Sequence, residues 1–194
     1  HAEFVGFYND YTNLTGQCTI SGGCTGDQLD QQFNGGAVTI FGLEGLVGHT
    51  FLLPGAFSLP VSVNGTWTES DFQSGFVSSF SQFGTVNIGD FLPYVPQYQG
   101  SANLSLKHPK FSVSLGGVYR SEMLDEAGLF DGETPTTDAL WLLDAATHVQ
   151  LREWASLYVT GTNLTQSTAI PSWRPFGARP TAPMQIMGGL KLKL

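Results

Sequence analysis

The side chains most able to hold a ligand are Arg174 and Arg179, five residues apart in the stretch Ser172-Trp173-Arg174-Pro175-Phe176-Gly177-Ala178-Arg179-Pro180. A guanidinium presents several fixed donors to a carboxylate, so two of them beside Trp173 and Phe176 suit an anionic chelate. The same pair could instead brace the loop against acidic neighbours, and the spacing does not choose between these roles. Bond-making chemistry finds less support. His1, His49, His108 and His148 fall in separate segments without zinc-ligand spacing. No Gly-x-Ser-x-Gly elbow appears and no Gly-rich loop leads into a helix. The chain therefore reads as a non-enzyme with no cofactor.

Asp125, Glu126, Asp131 and Glu133 gather in one long loop, where a solvated acidic face explains them more simply than a cation site. Cys18 and Cys24 lie close together in a Gly/Thr/Ser-rich stretch. A small disulfide-closed loop and an oxidising compartment follow from that placement. Two thiols without a nearby His make a poorer metal site. Asn13-Leu14-Thr15, Asn64-Gly65-Thr66, Asn103-Leu104-Ser105 and Asn163-Leu164-Thr165 match the glycosylation sequon, a triplet that arises readily in Asn/Thr-rich sheets.

The elements that must position these groups are strands. Charged residues make up only 12% of the 194 residues, against about 25% in an ordinary soluble domain. Gly (24) and Phe (14) are abundant, which fits a sheet whose second face meets lipid or water. The net charge of −8 and the scattered basic residues exclude a nucleic-acid footprint. No apolar run approaches the roughly 18 residues of a spanning helix, and none resembles a signal peptide. A chain beginning at His1 is expected to be a mature form, a processed form or a fragment.

Period-2 alternation dominates. It is clear in Ser101-Ala102-Asn103-Leu104-Ser105-Leu106-Lys107, in Val61 to Thr68, and at Leu190, Leu192 and Leu194. Phe111, Val113, Leu115 and Tyr119 share one face of a strand; Ser112, Ser114, Gly116 and Arg120 share the other. Eight strands are expected near 2–14, 36–52, 61–75, 97–107, 111–124, 138–151, 155–167 and 184–194. The links at 53–60, 108–110 and 152–154 are short, whereas 15–35, 76–96, 125–137 and 168–183 are long. Short turns at one end and long loops at the other mark an antiparallel up-and-down transmembrane β-barrel. Tyr8, Tyr11, Trp67, Tyr119 and Trp154 are candidates for its aromatic girdles. Arg120 and Glu44 are expected to point inward, towards lumen or plug groups.

Three stretches carry a family resemblance. Asn34-Gly35-Gly36-Ala37-Val38-Thr39-Ile40-Phe41-Gly42-Leu43-Glu44 resembles a strand common in TonB-dependent receptors, and Leu157 to Thr165 resembles their penultimate strand. Ser172 to Pro180, with Ala182-Pro183, resembles the last extracellular loop of the ferric-citrate-type branch, as does the opening Phe7 to Leu14. Gly189-x-x-Leu192-x-Leu194 is similar to the last-strand insertion signal, which usually ends in an aromatic; Met184 stands where the family often has Arg.

The resemblance implies that residues 1–194 are the C-terminal part of a 22-stranded barrel in a Gram-negative outer membrane. Its implied partners are outer-membrane lipid, a plug domain and the remaining strands, TonB through a missing N-terminal region, and a ferric citrate or siderophore ligand. Energised uptake of that chelate is the implied function, with Arg174, Arg179, Trp173 and Phe176 as ligand contacts. An open eight-stranded sheet would leave two unpaired edges in lipid, so a small barrel that closes on itself, structural or adhesive in role, is the alternative. A soluble β-sandwich binding module is a third.

Overall fold

The computed structural model describes residues 1–20, 24–80 and 82–193. Alternating apolar and polar side chains suit a pleated ribbon whose two faces meet different surroundings. Among the described residues the chain accordingly forms twelve strands and one 3₁₀ turn, Gly26–Gln28. The strands are β1 (Ala2–Tyr11), β2 (Thr15–Gln17), β3 (Gln32–Asn34), β4 (Val38–Leu53), β5 (Phe57–Phe72), β6 (Phe76–Val77), β7 (Thr85–Val86), β8 (Tyr98–His108), β9 (Phe111–Arg120), β10 (Leu140–Arg152), β11 (Ala155–Thr162) and β12 (Gln185–Leu192). Eight of them make one antiparallel meander in the order β1-β4-β5-β8-β9-β10-β11-β12. The two small hairpins, β2 with β3 and β6 with β7, lie inside long links and were not expected.

All eight expected main strands are present, with short links at 54–56, 109–110 and 153–154. The expected loop at 53–60 is a correction. Phe57 to Pro60 belong to β5, pairing with Leu53 to Thr50. Pro60 has no N–H to give, so the ladder towards β8 omits Leu59 and Pro60 while the register continues on both sides. Four expected strands overran at the long-loop end, which they leave at Tyr11, Phe72, Arg120 and Thr162. There the backbone turns away to bond with other loops. Leu194 lies outside the described residues.

Partners followed straight across the sheet run Ala2, Val47, Val63, Ala102, Gly117 and Leu143. The line starts where β1 begins and ends near the long-loop start of β10, so the strands are tilted as barrel closure requires. β1 pairs only with β4 and β12 only with β11. Among the described residues the sheet is open, which corrects the self-closing alternative: no ladder joins its two outer strands.

Cross-strand register sorts the faces. One face carries Leu43, Val63, Leu104, Val113, Leu115, Leu143, Leu157, Val159, Ile186, Leu190 and Leu192, and these remain widely exposed. The other carries Glu44, Asn64, Thr66, Ser101, Asn103, Ser105, Ser112, Ser114 and Arg120, with Asn64 bonded to Ser101 and Ser105 to Ser114. Arg120 and Glu44 thus share the polar face.

Two aromatic belts bound the apolar face. Near the long loops it carries Tyr8, Phe41, Trp67, Tyr98, Tyr119 and Trp141, with ring centroids 5.7 Å apart for Phe41–Trp67 and 4.4 Å for Tyr119–Trp141. At the short turns Phe57, His108 and Phe111 touch one another, and exposed Trp154 lies in the last turn. Trp67 and Phe57 are ten residues apart on β5. Ten residues at about 3.3 Å each, tilted by about 40°, cover roughly 25 Å, the height of a barrel's lipid-facing band. Tyr11 is a correction: three residues from Tyr8 on one strand, it faces the opposite way.

The buried core sits above this band rather than within it. Val38, Phe72 and Val86 are buried among Leu14, Ile40, Phe76, Phe83, Leu92 and Ala127 where β4 and β5 enter the long links. Gly36 fixes the entry: it has φ +70°, and a Cβ there would meet Ser74 Oγ at 2.0 Å.

The face assignment predicts a sharp contrast between neighbours. Leu115→Arg, midway between the belts, should destabilise the barrel in lipid vesicles by about 2–4 kcal/mol, and Ser114→Arg by less than half of that. Equal costs in chemical unfolding would refute the membrane band.

Candidate functional site

The described residues of the four long links, 12–37, 73–97, 121–139 and 163–184, fold over one another as a single layer at one end of the sheet. The first and second are tied by Gln73 N–H to Ala37 O at 2.8 Å, Ala37 N–H to Ser74 Oγ at 2.8 Å and Gln28 Nε2 to Ser79 O at 3.2 Å. The second and third are joined by Ala127 N–H to Gln82 O, Phe91 N–H to Gly128 O and Tyr94 N–H to Leu124 O, at 2.7–2.9 Å. The third and fourth meet through Asp138, whose N–H donates to Ile170 O at 3.0 Å and whose Oδ2 accepts from Ile170 N–H at 2.7 Å. Buried backbone polar groups need such partners once they leave the ladder.

Arg174 lies at the junction of these links. Its Nη2 is 3.0 Å from Asp125 Oδ2 and 3.2 Å from Glu126 Oε1, and the Arg174 and Asp125 side chains are only 12% and 11% exposed. Tyr94 completes the junction, donating its hydroxyl to Asp125 Oδ1 and accepting Trp173 N–H at 3.3 Å. The Trp173 indole N–H donates to Thr136 O at 3.0 Å. From the sheet, Arg120 Nη2 reaches Pro171 O at 3.3 Å. Two carboxylates on one guanidinium more than match its charge, so Arg174 is engaged as a brace between loops.

The neighbouring ligand candidates are arranged differently. Ser172 and Arg179 form a bridge, with Arg179 N–H donating to Ser172 O at 2.9 Å, and this pinches off a tip from Trp173 to Ala178. Phe176 is 78% exposed, Trp173 is 38% exposed, and the Arg179 side chain is exposed without an ion-pair partner among the described residues. The structure therefore groups the four candidates in one loop but gives them two environments, Arg174 inside and Arg179 outside.

Asn163 is a residue whose role the sequence did not reveal. It is 5% exposed, with φ +50°. Its Nδ2 donates to Ser167 O at 3.0 Å and Ala182 O at 2.7 Å, while its Oδ1 accepts from Ser167 N–H at 2.9 Å and Thr165 Oγ1 at 3.0 Å. All four valences of the amide are used to tie the start of the last link to its end. Its place in the Asn-Leu-Thr motif was the available signal; Tyr94 had none. Cys18 and Cys24 are disulfide-bonded, Cα atoms 5.8 Å apart, and buried against Phe80. The acidic loop is divided: Asp125 and Glu126 serve Arg174, whereas Asp131 accepts the N–H groups of Glu133 and Thr134 at 2.9 and 3.1 Å. Those turn bonds hold the Asp131 carboxyl below the usual carboxylate range. No group of three or more potential metal ligands occurs among the described residues.

Burial, and then the bond to Asp125, raises the Tyr94 hydroxyl above the ordinary tyrosine value. The fold thus favours neutral Tyr94. The stabilisation is complete below a pH of about 10 and is lost as pH rises from there through the raised value. Tyr94→Phe should destabilise the loop layer by about 1–3 kcal/mol at neutral pH by leaving Asp125 short of a donor. Limited proteolysis across the loops checks this; the wild type should become equally cleavable only on raising pH above the ordinary tyrosine range. Cleavage of the variant no faster than wild type would mean that the junction carries no load.

Residues 1–164 match the family model described as "TonB dependent receptor-like, beta-barrel". No curated protein matches the chain. Among solved structures, the ferric-catecholate import receptor Fiu of Escherichia coli K12, in its closed form, is similar with a TM-score of 0.64 at 18% identity, covering 98% of this chain and 25% of that one. A mutant of the ferric enterobactin receptor PfeA of Pseudomonas aeruginosa is similar with a TM-score of 0.59 at 16% identity, covering 98% and 28%. At such identities the likeness is one of fold, and the chain spans about a quarter of the length of these receptors. Its meander of tilted strands, long loops at one end and family match together place the chain in the TonB-dependent receptor-like β-barrel family.

Proposed function

We propose that residues 1–194 form part of the wall and outer loops of an outer-membrane receptor that takes up an iron chelate. The observation that carries this reading is the family match over residues 1–164, joined to a fold shared with two ferric-siderophore receptors. Backbone polar groups cannot stay unpaired in hydrocarbon, so β1 and β12 are proposed to pair with further strands of the same barrel. A plug domain against the polar face, and TonB acting through an N-terminal region, would supply gating and energy. The role is transport in a Gram-negative outer membrane, without bond chemistry.

The exposed tip of the last link is the proposed ligand contact in this segment. Arg179 supplies an unmatched charge, and Trp173 and Phe176 supply flat apolar surface beside it. Arg174 serves that contact by holding the tip against Asp125 and Glu126. A ferric-carboxylate ligand, ferric citrate in particular, is supported by the Trp173 to Pro180 motif and by the preference of guanidinium for carboxylates.

Binding of ferric citrate to the intact receptor tests this. Arg179→Gln should weaken binding about tenfold, the loss of one charge-assisted hydrogen bond, without lowering thermal stability. An unchanged affinity would remove Arg179 from the site. Failure of citrate alongside binding of another ferric chelate would keep the receptor reading and discard the carboxylate ligand.

A further inference from the structure

The charges of this chain are sorted by height, and the basic groups of the lower end are without ion-pair partners among the described residues. Lys107, Lys110, Arg152, Lys191 and Lys193, five of the eight basic residues, lie at or beside the short turns and the end of β12. Glu153 is the carboxylate in those turns. None of the five basic groups has an ion-pair partner among the described residues, and all five are exposed. At the opposite end Asp10, Glu69, Asp71 and the acidic residues of the four long links outnumber Arg120, Arg174 and Arg179. Of the five, Lys110 and Arg152 lie at the short turns themselves, and an unmatched cation beside a low-dielectric slab favours an external anion.

Position identifies the anion. Lys110 and Arg152 lie on adjacent hairpins, tied by Gln150 N–H to Lys110 O at 2.7 Å. Lys110 immediately precedes Phe111 of the lower aromatic belt, and Arg152 stands two residues before Trp154, whose carbonyl accepts Lys193 N–H at 2.8 Å. Aromatic belts mark the depth where acyl chains give way to headgroups. Lys and Arg at that depth extend their charged ends to the interface while their stems stay against apolar surface.

We propose that the short-turn rim, centred on Lys110 and Arg152, is a docking surface for anionic phospholipid headgroups of the leaflet bordering that end of the barrel. Lys107 and Lys191, which register places opposite Ser112 and Ser156 on the polar face, point away from the leaflet and are not part of it. The proposal rests on the membrane reading above but not on the identity of the transported ligand.

The test uses the intact protein in vesicles of phosphatidylglycerol and phosphatidylcholine in equal amounts, with co-purifying lipid measured by native mass spectrometry. The wild type should retain phosphatidylglycerol preferentially, and the preference should fall as salt is raised. Each basic residue near a membrane surface contributes enough to change lipid affinity about fivefold. Lys110→Gln or Arg152→Gln should therefore reduce phosphatidylglycerol retention about fivefold, and the double variant roughly twentyfold. Arg179→Gln, at the other end, should leave it unchanged. Equal retention of both lipids by the wild type, or a double variant that keeps the preference, overturns the proposal. The wild-type salt series decides the matter if the variants do not fold. Failure of the protein to enter vesicles would overturn the membrane reading with it, whereas insertion without lipid preference overturns the docking surface alone.

Discussion

Backbone hydrogen bonding governs this molecule. In hydrocarbon no water can satisfy an N–H or C=O, so a chain that crosses it with strands must pair each one laterally. The eight long strands obey that rule through seven consecutive antiparallel ladders. The alternation of side chains follows from it, because a strand between lipid and a polar interior has two unlike faces. So does the use of Pro60, which sits where the ladder to β8 can lapse without losing register. Among the described residues the outer edges of β1 and β12 are the places where that rule is not met.

Above the membrane the constraint relaxes and a different packing logic takes over. Water is available, yet the four long links spend their polar groups on one another. Val38, Phe72 and Val86 provide a small buried core there, and the disulfide of Cys18 and Cys24 packs on Phe80 beside it. Arg174, Asp125 and Tyr94 illustrate a charge taken out of solvent with partners at hand. The tip around Phe176 and Arg179 is exposed, closed at its base by the Ser172–Arg179 bridge.

Much of the strand architecture was legible because its signals are local. Alternation located all eight main strands, and Gly- and Pro-rich stretches located the links. The misjudgements have physical causes. Pro54, Gly55 and Pro60 suggest a loop, but the hairpin closes with Gly55 and Ala56 at positive φ and the strand resumes at Phe57. The alternating pattern runs past the strand ends because apolar residues such as Leu14 and Leu124 continue it while packing in the loop layer. Hairpins of two or three residues per strand, such as β6 and β7, are too short to show any period.

The sequence by itself determined the strand period, the alternation of short and long links, the polar and apolar faces, and the family motifs. Each depends on neighbours within a few residues, where side-chain chemistry and backbone geometry are directly coupled. Only the tertiary structure decided which arginine of the last link is spent and which is available. Arg174 and Arg179 are equivalent in sequence, but Asp125 and Glu126 reach the first from another link and the second is left in solvent. Tertiary structure also decided that no ladder joins β1 to β12 among the described residues, since closure depends on tilt and curvature accumulated across the whole sheet. Contacts between residues tens of positions apart are set by that accumulated geometry, which no local pattern encodes.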